Sequence, residues 1–243
     1  MHTITTFATK GGAGRTTTIL ALACGFMAIG KRVAIMECSD VAGRKGPPDQ
    51  TQTLLDWVDK MNKTGVQSSD LKFLPCRTAQ EVEDSVALME SCGYDILLID
   101  TQPWIEQPHC AALRLANLII APATGPFEAQ TTIRSITNHL DAADNLIGLV
   151  TPRDEVAAVA ARTRAAFGGY PVFQTELPSA QLLSNIMASG DIAQVVSDLH
   201  CQSNEPNFAQ YRNALTAWTA VQQLTLEVQW ALNGQRLKTH HAA

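Results

Sequence analysis

The sequence predicts an α/β fold: a doubly wound, mostly parallel sheet with helices on both faces, followed by a long C-terminal helix. Three observations predict it. Short β-rich apolar runs alternate with helical patterns across about 170 residues. Runs such as Asp95-Ile96-Leu97-Leu98-Ile99-Asp100 are apolar on both faces, as expected of parallel strands covered on both sides. A glycine-rich loop, Thr9-Lys10-Gly11-Gly12-Ala13-Gly14-Arg15-Thr16-Thr17, separates the first apolar run from the first helical pattern. Glycine lets the main chain come close to an anion held at a helix N-terminus.

In chain order, the strand Ile4–Ala8 leads through the loop into the helix Thr16–Ile29, and Val33–Glu37 follows as the second strand. Helix Leu54–Lys60, strand Leu71–Leu74, helix Ala79–Ser91 and strand Ile96–Asp100 continue the alternation. Helix Ala111–Ala116, strand Leu118–Ala121, helix Glu128–Leu140, strand Leu146–Thr151, helix Val156–Phe167 and strand Pro171–Phe173 complete it. Ligands of such sheets bind beyond the carboxyl ends of the strands, where the informative residues fall.

Beyond the alternation, Phe208, Tyr211, Leu215, Trp218, Val221, Leu224, Val228 and Leu232 recur at spacings of three and four. They predict an amphipathic helix packed on the sheet core, a partner-binding face being the other reading. Its polar face is poor in Lys and Arg, which argues against a membrane-surface helix. The polar stretch 201–207 reads as a linker. Residues 1–200 are therefore expected to form one nucleotide-binding-type domain, with 201–243 as linker and helix packed on it.

The 243 residues are 46% hydrophobic and 17% charged, enough to bury a sizeable core. A net charge of -5 argues against a generally basic, nucleic-acid-coating surface. The six cysteines form no CxxC pair and read as reduced thiols. The N-terminus lacks the regions of a signal peptide, and no uncharged apolar run approaches the ~18 residues of a membrane span. A cytoplasmic protein is expected.

The loop departs from the strict G-x-x-x-x-G-K-[ST] pattern twice, with Thr9 for the first glycine and Arg15 for the lysine. A dinucleotide fingerprint, Gly12-x-Gly14-x-x-Thr17 with Glu37 ending the next strand, fails at Thr17, where close helix–strand packing asks for Gly or Ala. Read with Tyr94-Asp95-Ile96-Leu97-Leu98-Ile99-Asp100-Thr101-Gln102-Pro103 and Ala116-Asn117-Leu118-Ile119-Ile120-Ala121-Pro122, the loop resembles the deviant Walker A motif of the ParA/MinD ATPases. The order and spacing of these motifs agree over roughly residues 1–195. The chain is most similar to the VirC-type ParA relatives of conjugative DNA transfer.

That resemblance implies a P-loop NTPase fold, ATP and Mg²⁺ as cofactors, and an ATP-dependent homodimer. It implies that Lys10, Gly11, Gly12, Ala13, Gly14, Arg15, Thr16 and Thr17 bind the nucleotide phosphates. Thr16 and Asp100 hold Mg²⁺, an oxygen-seeking ion. Lys10 reaches the partner's nucleotide, as an arginine finger does. Pro152 and Arg153 lie where the family contacts adenine. DNA, bound non-specifically or through a DNA-binding protein, is the implied partner, with a relaxase or centromere-binding protein beside it. Arg134, Arg162 and Arg164 are candidates for a DNA-facing patch.

Two departures bear on hydrolysis. Arg15 is a planar fork where a lysine would deliver a compact charge. The family's water-positioning carboxylate falls on Ser39, with Asp40 one residue on as the remaining catalytic candidate. Slow or lost turnover is expected, and the alternative is a non-hydrolysing scaffold of the same fold. His109 beside Cys110 has no second pair to make a metal site.

Overall fold

The computed structural model describes residues 1–38, 52–63, 70–140, 144–152, 157–201 and 208–235. Among the described residues, six strands form one sheet: β1 (His2–Thr6), β2 (Val33–Cys38), β3 (Leu71–Cys76), β4 (Ile96–Asp100), β5 (Leu118–Ala123) and β6 (Leu146–Val150). Their order is β3-β2-β4-β1-β5-β6, and every pairing is parallel. The doubly wound sheet is the one expected. Strands β2, β4, β5 and β6 are buried along their whole length, which is why they read as continuous apolar runs. The edge strand β3 carries exposed Lys72 and Pro75, both unfavourable to further strand pairing.

The helices are α1 (Arg15–Ala28), α2 (Gln52–Lys63), α3 (Ala79–Ser91), α4 (Gln107–Leu115), α5 (Pro126–Thr137), α6 (Ala157–Ala166), α7 (Ala180–Ala188), α8 (Ile192–Cys201) and α9 (Phe208–Leu232). Alternate strand residues face opposite layers. Val33, Ile35, Ile96, Leu98 and Ile120 pack with α1, α2 and α7–α9. Ala34, Met36, Leu97 and Ile99 face α3 and α4, and Ile119 and Ala121 face α4–α6.

The expected strand Pro171–Phe173 is absent as a strand; it makes only an isolated bridge, Gly148 with Val172. The chain there is held instead by Glu227 of α9, whose carboxylate accepts from Gln174 N, Thr175 N and Thr175 Oγ1 at 2.7, 2.9 and 2.6 Å. Helices α7 and α8 were not expected. Their Leu183, Met187 and Ile192 complete the core beneath α1.

Helix α9 has the expected extent, and Val221, Leu224 and Val228 of the expected stripe face inward, with Trp218 and Leu232 packed against the same core. The face departs from expectation toward the start of the helix. Ala214, Ala217, Val221, Leu224 and Val228 are buried, while Phe208 is 63% exposed and Leu215 39%. The small side chains let α9 lie close against α1: a Cβ on Gly25 would sit 2.0 Å from Thr225 Oγ1. Nine consecutive residues of α1, Thr18–Phe26, are buried as a result, between sheet and α9.

Strand register sets up the site. Thr6 pairs with Asp100 across β1–β4, and Glu37 pairs with Asp100 across β2–β4. Three polar strand ends thus stand side by side at the carboxyl edge, where the glycine loop leaves β1.

Candidate functional site

The loop between β1 and α1 turns on Gly12 (φ +74°) and Gly14 (φ +98°), conformations open to glycine and costly for other residues. Thr151 supports it from below, donating to the Ala13 carbonyl at 2.9 Å, and its Cγ2 would lie 3.3 Å from a Cβ on Gly14. The backbone N–H and hydroxyl of Thr18 donate to the Gly14 carbonyl at 2.8 and 2.7 Å, closing the first turn of α1. No side chain caps this helix N-terminus. Its first N–H groups have no acceptor within the helix, which suits them to an anion.

Above the loop lies a cavity of about 360 Å³. Gly11, Gly12, Arg15, Thr16 and Thr17 line one side, and Glu37, Asp100, Thr101 and Gln102 the other. Thr16 Oγ1 donates to Asp100 Oδ2 at 2.6 Å, and Thr6 Oγ1 to Asp100 Oδ1 at 3.4 Å. Burial pushes the Asp100 carboxyl above its usual range, against the pull of Arg15 and the Thr16 and Thr6 hydrogen bonds. A hydroxyl beside a buried carboxylate is a hard-oxygen donor pair, and it fits Mg²⁺, which keeps most of its waters.

Arg15 occupies the position of the usual lysine, and its guanidinium folds back to donate to the Ala8 carbonyl at 2.6 Å. Burial lowers its pKa, and Asp100 acts the other way. Glu37 is raised to about 7, by burial first and by Asp100 second. A cation entering between these carboxylates would relieve both.

Lys10 does not line the cavity. Its Nζ forms a 2.5 Å ion pair with Glu128 Oε1 in the first turn of α5. Glu128 Oε2 accepts from Thr124 N and Oγ1, at 3.0 and 2.5 Å. Burial alone would raise the Glu128 pKa, but Lys10 and Thr124 together hold it below its ordinary value. Thr9 adds hydrogen bonds to Thr131 and Thr132, so the whole turn is moored to α5.

The structure therefore brings Gly11, Gly12, Arg15, Thr16, Thr17 and Asp100 to one cavity, with Ala13 and Gly14 forming its floor loop. Pro152 is half-buried just past Thr151 and outside that lining. Ser39, Asp40 and Arg153 lie outside the described residues. Glu37, Thr101 and Gln102 were missed as site residues. The signal for Glu37 was its place as the acid near the end of the second strand. Arg164, one of the candidates for a DNA-facing patch, donates to the Phe173 and Gln174 carbonyls and pairs with Glu176. Arg134 and Arg162 are exposed. All six cysteines are free, and no metal-ligating cluster of three or more His, Cys, Asp or Glu occurs among the described residues.

The solved structures similar to this chain include MinD cell division protein from Aquifex aeolicus, at 16% identity and TM-score 0.63, covering 99% of this chain and 100% of that one. A ParA family ATPase from Chlorobium tepidum TLS is 14% identical at TM-score 0.58, covering 93% and 98%. Cobyrinic acid a,c-diamide synthase from Mycobacterium smegmatis, solved with an ATP analogue and magnesium, is 18% identical at TM-score 0.51, covering 77% and 93%. At these identities the likeness is one of fold. No curated protein matches the chain. The family model described as VirC1 protein matches residues 1–146, more than half of the sequence. The chain belongs to the VirC1 protein family, built on the fold of the MinD and ParA ATPases.

Proposed function

We propose that this protein is an ATP-dependent dimerising switch that serves plasmid partition or conjugative DNA transfer. The observation that carries this reading is the uncapped N-terminus of α1, with Thr16 hydrogen-bonded to buried Asp100 across one cavity. The backbone N–H groups from Gly12 to Thr17 wrap the phosphates, with Arg15 supplying positive charge. Thr16 and Asp100 hold Mg²⁺, which neutralises phosphate charge when bound. The magnesium and ATP analogue in the structurally similar diamide synthase support this assignment of ligand class.

Lys10 leaves Glu128 to meet the nucleotide of a second subunit, and Pro152 with Arg153 contacts the base. Hydrolysis is slow, because Ser39 stands where a carboxylate would position water and Asp40 is one residue displaced. The dimer acts on DNA, directly or through a DNA-bound partner such as a relaxase or centromere-binding protein. Titration with ATP and Mg²⁺, followed by sedimentation, tests the reading. A dimer that appears with ATP and is lost in Lys10→Ala is expected; its absence in the wild type would overturn it.

A second reading, a non-hydrolysing scaffold, is favoured by the outer face of α9. Leu226 and Trp230 there are 46% and 48% exposed, on the same helical face as Phe208 and Leu215. Mg²⁺-dependent turnover above that of Asp100→Ala would exclude it.

A further inference from the structure

His109 sits in the first turn of α4 and is fully buried. Its Nδ1 accepts from the Glu106 backbone N–H at 3.1 Å. The ring proton therefore sits on Nε2, which lies 3.3 Å from the Cys38 carbonyl and donates to it. A neutral imidazole thus joins two backbone groups from distant parts of the chain. Glu106 ends the segment that leaves β4 just after Asp100, and Cys38 is the last residue of β2, just after Glu37. Both strand ends face the cavity through Glu37 and Asp100, yet His109 lies on the far layer, with α4.

A buried histidine that only filled space would be replaceable by an apolar side chain. This one satisfies a donor at one loop root and an acceptor at the other, so a shift of either root strains or breaks a hydrogen bond. We propose that His109 is a positioning residue that couples the segment following β4 to the end of β2, transmitting occupancy of the cavity from one to the other. The proposal rests on the nucleotide reading above.

The end of β2 carries its own reporter. Cys38 is a buried thiol on the α3–α4 side of the sheet, away from the cavity lining. Cys76, its register partner on β3, is buried in the same cluster and serves as the internal control. Alkylation by N-ethylmaleimide, resolved by mass spectrometry at each cysteine, is measured with and without a non-hydrolysable ATP analogue and Mg²⁺. The wild type is expected to show at least threefold slower labelling of Cys38 when the analogue is bound, with Cys76 unchanged. His109→Gln, which keeps one acceptor and one donor, retains that response. His109→Met, which cannot donate to the Cys38 carbonyl, and His109→Asn, too short to span both, lose it while binding the analogue within threefold of wild type.

An unchanged Cys38 response in a folded His109→Met or His109→Asn overturns the coupling. So does a wild type that binds the analogue without changing Cys38 labelling. Parallel acceleration of Cys38 and Cys76 in the variants, with the nucleotide response kept, assigns His109 a merely structural role and overturns it too. Failure of the wild type to bind the analogue overturns the nucleotide reading itself, and the coupling with it.

Discussion

Lys10 and Glu128 form an ion pair that ties the tip of the glycine loop to the first turn of α5. The lysine side chain is 55% exposed and the glutamate 9%, so a pinned carboxylate holds a cation that solvent can still reach. Such a pair adds little stability, about 1 kcal/mol or less after screening. Its consequence is competition, because a lysine held by Glu128 is not available to another anion. Glu128→Gln is expected to leave the urea midpoint nearly unchanged and to lower several-fold the ATP concentration that drives dimerisation. Sedimentation at graded ATP checks this, and a weaker dimer in the variant would refute the competition.

Asp100 holds the Thr16 hydroxyl and is buried beside it. Asp100→Asn removes the charge and keeps the shape. Affinity for a fluorescent ATP analogue in Mg²⁺ is expected to fall at least tenfold, to the level that the wild type shows in EDTA. Equal affinity in wild type and variant would place the metal elsewhere.

Arg15 donates to the Ala8 carbonyl across its own loop. Arg15→Ala leaves that acceptor unpaired and takes the nearby cation from Asp100, at a cost of about 1.5–3 kcal/mol in folding stability. Nucleotide affinity should drop at least tenfold in the same titration. Arg15→Lys combined with Ser39→Asp is expected to raise phosphate release above the wild-type rate, and no increase would locate the block to turnover elsewhere.

Glu37 has an ordinary pKa of 4.5 and is raised to about 7 in the folded chain. Between those values the native state keeps a proton that the unfolded chain has lost, so stability falls as pH rises. Its contribution is fully present below pH 4.5 and lost as pH rises through about 7. The change is on the order of 3 kcal/mol over that window. Urea unfolding at pH 5 and pH 8 measures it, and Glu37→Gln should flatten the difference. An equally steep pH dependence in the variant would assign it to other groups.

Gly25 lets α9 lie against α1, since a Cβ there would meet Thr225 Oγ1 at 2.0 Å. Gly25→Ala is expected to lower stability by about 1–3 kcal/mol through overpacking. Gly25→Ala with Thr225→Ala should recover most of it. A single variant as stable as wild type in urea would mean that α9 is not docked at this contact.

The architecture was legible because the strands of a sheet covered on both faces are apolar throughout, and such runs stand out. β4 was read with its observed bounds, and α3 likewise. Helices α7 and α8 were not legible. They are short and gain their stability from packing beneath α1, which no local pattern records. The inward face of α9 was legible at Val221, Leu224 and Val228 and misjudged toward its start, at Phe208 and Leu215. There the small Ala214 and Ala217 are the buried residues, and a pattern of large apolar side chains does not mark them.

Sequence alone determined the alternation of strands and helices, the glycine loop opening α1, and Asp100 at a strand end, because each depends on residue type and local spacing. Tertiary structure decided the rest. The strand order set Glu37 beside Asp100, the path of α5 brought Glu128 to Lys10, and the turn into α4 placed His109 between Glu106 and Cys38. These pairs lie 63, 118 and 71 residues apart along the chain. Side chains so far apart in sequence meet only where the order of a parallel sheet carries them together, and that order is a property of packing.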